Sequence, residues 1–167
     1  MTRHSDERPH HKTTPSMRWA FAFLGMAAAL GGTAAAGWQA GAADQSAGAA
    51  DLDRGAEIYA EACAACHGTD LEGQPEWRRP GPDGRYPAPP HDATGHTWHH
   101  SDRVLLDIVM RGTSAVVGGG YVSDMPGFAD RYSEDELRAV LDWIKTHWPE
   151  RERAYQAGVT EADGGLP

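Results

Sequence analysis

Cys63-Ala64-Ala65-Cys66-His67 is the stretch on which the reading of this chain turns. The spacing C-x-x-C-H is the attachment signature of a c-type haem. Positions three and four apart share one face of a helix, so two thiols and an imidazole can address a single flat ligand. The thiols bond to the two haem vinyl groups, and the imidazole of His67 reaches the iron. These are the chain's only two cysteines. A thioredoxin-like dithiol expects a strand before the motif and a βαβ pattern around it. A zinc site needs a second pair of ligands. Neither context is present, and Asp51 to Ala62 reads as a helix leading into the motif with no β-branched run before it.

Outward from the motif, the N-terminal side reads as a leader. Arg3, Arg8, Lys12 and Arg18 precede an uncharged stretch from Trp19 to Ala43, whose apolar part ends near Leu30. A basic region, a short apolar run and small residues at Ala34-Ala35-Ala36 form a signal-peptide pattern. The uncharged run also has the roughly 20 residues needed to span a bilayer, although Gly and Ala give it little insertion energy. Residues 1–36 are therefore expected to be an export signal or an N-terminal membrane anchor. Either places the rest outside the cytoplasm, in the periplasm of a bacterium. Met17-Arg18 stands directly before the apolar run, so a start at Met17 would give a more compact leader than one at Met1.

Residues 37–50 are Ala, Gly, Ser and Gln with a single Asp and a single Trp, a composition expected to behave as a flexible linker. Residues 51–149 are expected to hold the folded domain. Residues 150–167 mix charge with Gly and are expected to form a mobile acidic tail. From residue 51 onward there are 21 Asp and Glu against 11 Lys and Arg. That balance argues against nucleic acid and against anionic lipid. It favours either plain solubility or docking to a basic patch on a redox partner, where long-range attraction speeds encounter.

The domain reads as all-α, with three main helices and long loops. The first runs from about Asp53 to Ala62 with Asp51 or Asp53 as cap, and Gly55 admits the close approach of another backbone. The second opens at Ser101, carries Leu105, Ile108 and Val109 on one stripe, and closes at Gly112. The third opens with Ser133-Glu134-Asp135-Glu136, a capping box. It presents Leu137, Val140, Leu141 and Ile144 on one face and ends at Trp148-Pro149. Between the first two lies a Pro- and Gly-rich segment, 68–100. A structureless run of that length counts against an ordinary domain, but a large flat cofactor gives such a loop something to wrap.

In its order of helix, C-x-x-C-H, long loop, helix, Met-Pro loop and C-terminal helix, the exported part resembles a small class I cytochrome c over about residues 51–149. The specific pieces are Cys63-Ala-Ala-Cys-His67 and Asp124-Met125-Pro126-Gly127-Phe128. The resemblance implies the cytochrome c fold around one covalently bound haem c, held by Cys63 and Cys66. It implies His67 as fifth and Met125 as sixth iron ligand. It also suggests that the Pro89 carbonyl accepts the Nδ1 hydrogen bond of His67, ordinary outer-shell control of a ligand ring.

Independently of family, Met125 is the one methionine in a Gly- and Pro-rich loop; Met1, Met17 and Met26 fall in the leader, and Met110 ends the second helix, where packing is the expected role. Histidine is its competitor. His91, His96, His99 and His100 precede the second helix, where they are open to a solvated-loop or propionate role, to copper, or to iron. Trp98 and Tyr86 are candidates for the haem edge or for packing.

With His67 and Met125 both bound, no open iron position remains for substrate, and the expected function is one-electron transfer rather than catalysis. Ser133 and the carboxylates read as caps and solvated faces. The expected protein is a monomer that exchanges electrons with extracytoplasmic partners. The other classes are a haem enzyme or gas sensor with a labile sixth site, and a copper-handling protein using the His91 to His100 cluster.

Overall fold

The computed structural model of the chain describes residues 48–164. The expected leader over 1–36, its start at Met1 or Met17, and the linker as far as residue 47 lie outside the described residues. Helix α1 occupies 48–58 and continues into a π-helical turn, Tyr59–Cys63, and a short helix α2, Ala64–His67. Asp51 and Asp53 therefore sit inside α1 and not at its cap. The sequence before them includes Ala49 and Ala50, strong helix formers that extend the helix upstream. In the π turn the Ala64 N–H donates to the Tyr59 carbonyl, one residue further back than in an α-helix. Such single-turn bulges commonly accompany functional positions, and this one holds Cys63.

Helix α3, Asp102–Arg111, begins at Ser101, whose hydroxyl accepts from the Val104 N–H. It closes at Gly112, where φ is +83°, a left-handed value that favours glycine. A short helix α4, Thr113–Val117, follows at once. Helix α5, Glu134–Thr146, carries the complete capping box, with the Ser133 and Glu136 side chains each bonded to the other's backbone N–H. Its Leu137, Val140, Leu141 and Ile144 are buried, together with Ile58, Tyr59, Leu105, Phe128 and Trp148. The Leu-Val-Leu-Ile stripe read from the sequence is thus the inner face of α5, and α3 packs against that helix.

Helices α1 and α5 cross at Gly55. A Cβ added there would lie 2.2 Å from the Ala139 carbonyl oxygen, so only glycine admits this approach. Beside the crossing, Arg54 Nη2 pairs with Glu136 at 2.8 Å.

The 68–100 segment contains one 3₁₀ turn, Thr97–His99, and otherwise no regular structure. Its backbone is nevertheless paired. The Gln74 N–H donates to the Ala88 carbonyl at 2.9 Å, and the Ala88 N–H returns to the Gln74 side-chain oxygen at 2.8 Å. The His91 N–H reaches the Leu71 carbonyl at 2.8 Å, and Trp148 Nε1 donates to the His91 carbonyl at 2.7 Å.

The segment expected to be a mobile tail is, through most of its length, helix α6, Glu150–Ala162. Pro149 is its N-cap residue, so the proline that ends α5 also starts α6. The buried Gln156 amide donates to Asp102 at 2.6 Å and to the His100 carbonyl at 3.3 Å. Asp163 accepts from Ser101 and, at 2.8 Å, from Arg103. Tyr155 meets the Trp98 ring edge-on at 5.3 Å. The helix docks through side-chain hydrogen bonds with little apolar stripe, which is why its charge and Gly content read as a tail. Among the described residues no helix is long and apolar enough to cross a membrane.

Gly55→Ala is expected to cost about 1–3 kcal/mol, the range for forcing a methyl into a closed contact; an unchanged denaturant midpoint would rule out the crossing. The Glu136 carboxyl is held below its usual range, chiefly by the Ser133 N–H and then by Arg54. A depressed carboxylate stabilises the fold above its unfolded pKa of about 4.3 and loses that contribution as pH falls through the lowered native value. Thermal melts of Glu136→Gln should show a shallower acid-side decline than the parent.

Candidate haem site

The inner faces of α1, α3 and α5 and the loops 68–100 and 118–133 surround a cavity of about 870 Å³. Cys63, Cys66, His67 and Met125 all line it. The rest of the wall is mainly apolar, with Ile58, Leu105, Val109, Phe128, Val140 and Ile144 among its residues. An apolar cleft with a few convergent donor atoms is the usual form of a cofactor site.

His67 is buried, and its Nδ1 lies 2.8 Å from the Pro89 carbonyl oxygen. A carbonyl only accepts, so Nδ1 carries the proton and Nε2 keeps its lone pair for a metal. Burial pushes the His67 pKa down, with the Pro89 hydrogen bond opposing, so the ring is held in the neutral form that binds iron. Tyr59 closes the end of the motif by donating to the Gly68 carbonyl at 2.9 Å; burial raises its phenol pKa and keeps it a donor. Of the two thiols, Cys66 is exposed and Cys63 half-buried. Burial, reinforced by Cys66, pushes the Cys63 thiol up to about 11, and Arg131 opposes.

Met125 is held by the chain around it. Its N–H donates to Ser123 Oγ at 3.2 Å, and the Ser123 N–H donates to Ser114 Oγ at 2.9 Å. Gly112 and Pro126 form an isolated antiparallel bridge. The Phe128 N–H donates to the Val109 carbonyl at 2.9 Å, which fastens the loop to the end of α3. A Cβ on Gly127 would come within 2.5 Å of the Met110 carbonyl oxygen, so the Met-Pro-Gly sequence lets two backbones touch. Asp124 pairs with Arg85 across the mouth, tying the Met125 loop to the 81–89 loop.

The four histidines divide between the cavity and the outside. His91 stacks on His67, ring centroids 3.9 Å apart, and burial drives its pKa well down. Its buried Nδ1 has no hydrogen-bond partner. His91, His96 and His100 line the cavity; His96 stacks on Trp77 at 5.3 Å and meets His100 edge-on at 5.5 Å. His99 turns away to pack on Trp98 at 3.7 Å. Among the described residues no group of three or more His, Cys, Asp or Glu side chains could hold a metal ion. Nothing in this arrangement supports the alternative of a copper site made by His91, His96, His99 and His100: His91 stacks on His67, His99 on Trp98, and only His96 and His100 remain together.

Tyr86 lines the cavity, while Trp98 packs against His99 and Tyr155. The sequence reading passed over Arg78, Arg85, Tyr121 and Thr113, all of which line the cavity. Only the fold brings them there, since none belongs to a local motif.

The donor set fits haem. Paired thiols three residues apart, an imidazole with a free Nε2 and a thioether are the groups that bind haem c and its iron, and all four open on one largely apolar space. Cys63 and Cys66 would form the thioethers, and His67 would reach the iron.

A protein-family model described as Cytochrome c matches residues 52–148, more than half of the 167-residue chain. No curated protein and no solved structure matches it.

The Arg85–Asp124 pair is solvent-exposed on both sides, so its contribution should be small. A double-mutant cycle with Arg85→Gln and Asp124→Asn on the haem-loaded protein is expected to give a coupling of about 0.2–1 kcal/mol. That coupling should shrink as salt is raised.

Proposed function

The chain belongs to the cytochrome c family and is a haem-binding electron carrier, with covalently bound haem c; from that premise we propose that His67 and Met125 would hold the iron and that the protein shuttles single electrons between partners outside the cytoplasm. The observation that carries the proposal is the meeting of Cys63, Cys66, His67 and Met125 on one apolar cavity, although Met125 stands far from the motif in sequence.

When bound, the haem supplies reversible one-electron exchange between Fe(III) and Fe(II). The chain's own contribution is positional and electrostatic. Pro89 holds the His67 ring with Nε2 directed away from its hydrogen-bonded nitrogen. The Ser123, Ser114 and Gly112 contacts hold Met125 in place. With both His67 and Met125 bound, no coordination position would remain for a substrate, which supports electron transfer over catalysis. The apolar wall excludes water, and a low local dielectric limits the rearrangement that accompanies a change of charge. A thioether ligand raises the potential relative to harder ligands.

Localisation in a bacterial periplasm is supported by the export-type sequence at 1–36 and by the haem chemistry, whether that segment is removed or retained as a tether. The acid excess from residue 51 onward supports docking of a monomer to a basic patch on a redox partner.

Oxidised protein is expected to show the long-wavelength Met-to-iron charge-transfer band, and reduced protein to resist CO. Met125→Ala should abolish the band, open the iron to CO and lower the potential. Rapid CO binding to the parent, with no band, would sink the assignment. Electron transfer to a basic partner should slow as ionic strength rises; a salt-independent rate would count against the acidic docking face.

A further inference from the structure

The Thr113 hydroxyl lies 3.2 Å from Met125 Sδ, with the hydroxyl as donor. It is the only side-chain hydrogen bond to a sulfur atom among the described residues, and it falls on the atom assigned to iron. We propose that Thr113 is a positioning residue for the electron-transfer reaction, whose O–H holds the Met125 thioether in its ligating orientation and raises the reduction potential. The proposal rests on the reading of Met125 as an iron ligand.

The geometry around Thr113 makes this contact a fixed one. Gly112, with its positive φ, ends α3 and starts α4 directly, which leaves Thr113 as the first residue of the new helix. Gly112 also bridges to Pro126, the residue after Met125. The backbone of one partner is thus joined to the backbone beside the other. Ser114, the next residue, accepts from Ser123, so both ends of the Met125 turn are pinned to the same short helix. Thr is β-branched and stiff about χ1, and both Thr113 and Met125 are half-buried at the cavity wall.

The chemistry follows from the lone pairs of a thioether. Sulfur carries two. One can bind iron while the other accepts the Thr113 O–H, a weak bond in water that gains strength where the surroundings exclude it. Accepting that hydrogen bond withdraws electron density from sulfur. The sulfur then donates less to the metal, and the loss matters more to ferric than to ferrous iron, so the reduced state is favoured. Hydrogen bonding to a ligand is one of the protein's levers on potential. In reduction one electron arrives from the partner and no proton moves, because the hydroxyl keeps its hydrogen in both states. No sequence signal joins the two residues, which stand 12 apart across the Gly118-Gly119-Gly120 run.

The test uses haem-loaded protein and three variants. Thr113→Val preserves shape and removes the donor. It is expected to lower the reduction potential and to shift the charge-transfer band. Thr113→Ser keeps the donor and should restore both toward the parent, which a purely packing role would not do. Met125→Ala should make the potential insensitive to a further Thr113→Val change. A Thr113→Val protein that retains the parent's band position and potential overturns the proposal and leaves Met125 as ligand. A parent protein without the band overturns Met125 ligation, and the proposal falls with it.

Discussion

Helices α1 and α5 touch backbone to backbone at Gly55 and Ala139, and the site depends on that contact. A single methyl group on Gly55 would sit 2.2 Å from the Ala139 carbonyl oxygen, so the two helices can be this close only because position 55 has no side chain. The approach brings the inner stripe of α5 against the end of α1, where Ile58 and Tyr59 are almost wholly buried. From there the π turn and α2 carry Cys63, Cys66 and His67 onto the cavity wall. The capping box and the Arg54–Glu136 pair fix the start of α5 beside the same crossing.

Loops close what the helices frame. The 68–100 segment has almost no helix, and its order comes from specific hydrogen bonds between distant backbone groups. His67 to Pro89 is the most consequential of these, because it fixes the imidazole tautomer and brings the far end of the loop back to the motif. Trp148 then reaches across from the end of α5 to the His91 carbonyl. Unpaired backbone groups at such depth would be costly, so these bonds are what allow a Pro-rich loop to form a wall. On the other side, α4 does the same for the Met125 turn through Ser114, Thr113 and the Gly112–Pro126 bridge.

The histidines show how a cluster in sequence can be divided by the fold. His91, His96, His99 and His100 span ten residues, yet His91 stacks on His67, His96 on Trp77 and His99 on Trp98, and only His96 and His100 meet each other, edge-on at 5.5 Å. Burial, and after it the proximity of other histidines, favours neutral rings for His91, His96 and His100. Helix α6 is the opposite case. Its sequence shows no apolar stripe, but Gln156, Thr160 and Asp163 have partners at Asp102, Ser101 and Arg103, more than fifty residues away. A pattern-based reading detects apolar periodicity, and a helix docked by polar side chains leaves no such trace.

The sequence by itself determined the local chemistry. Cys63, Cys66 and His67 declare haem attachment through spacing, Ser101 and Ser133 start their helices through capping, Gly112 ends one, and the α5 stripe names its own buried face. Each of these depends on residues within about one or two helical turns, where covalent geometry alone sets who meets whom. Tertiary structure decided the rest: that Met125 shares a cavity with His67, that Thr113 bonds its sulfur, that His91 stacks on His67 while His99 packs on Trp98, and that the C-terminal residues form a docked helix. Those outcomes depend on partners brought together by the fold, and a contact between distant residues has no fixed spacing along the chain by which it could be read.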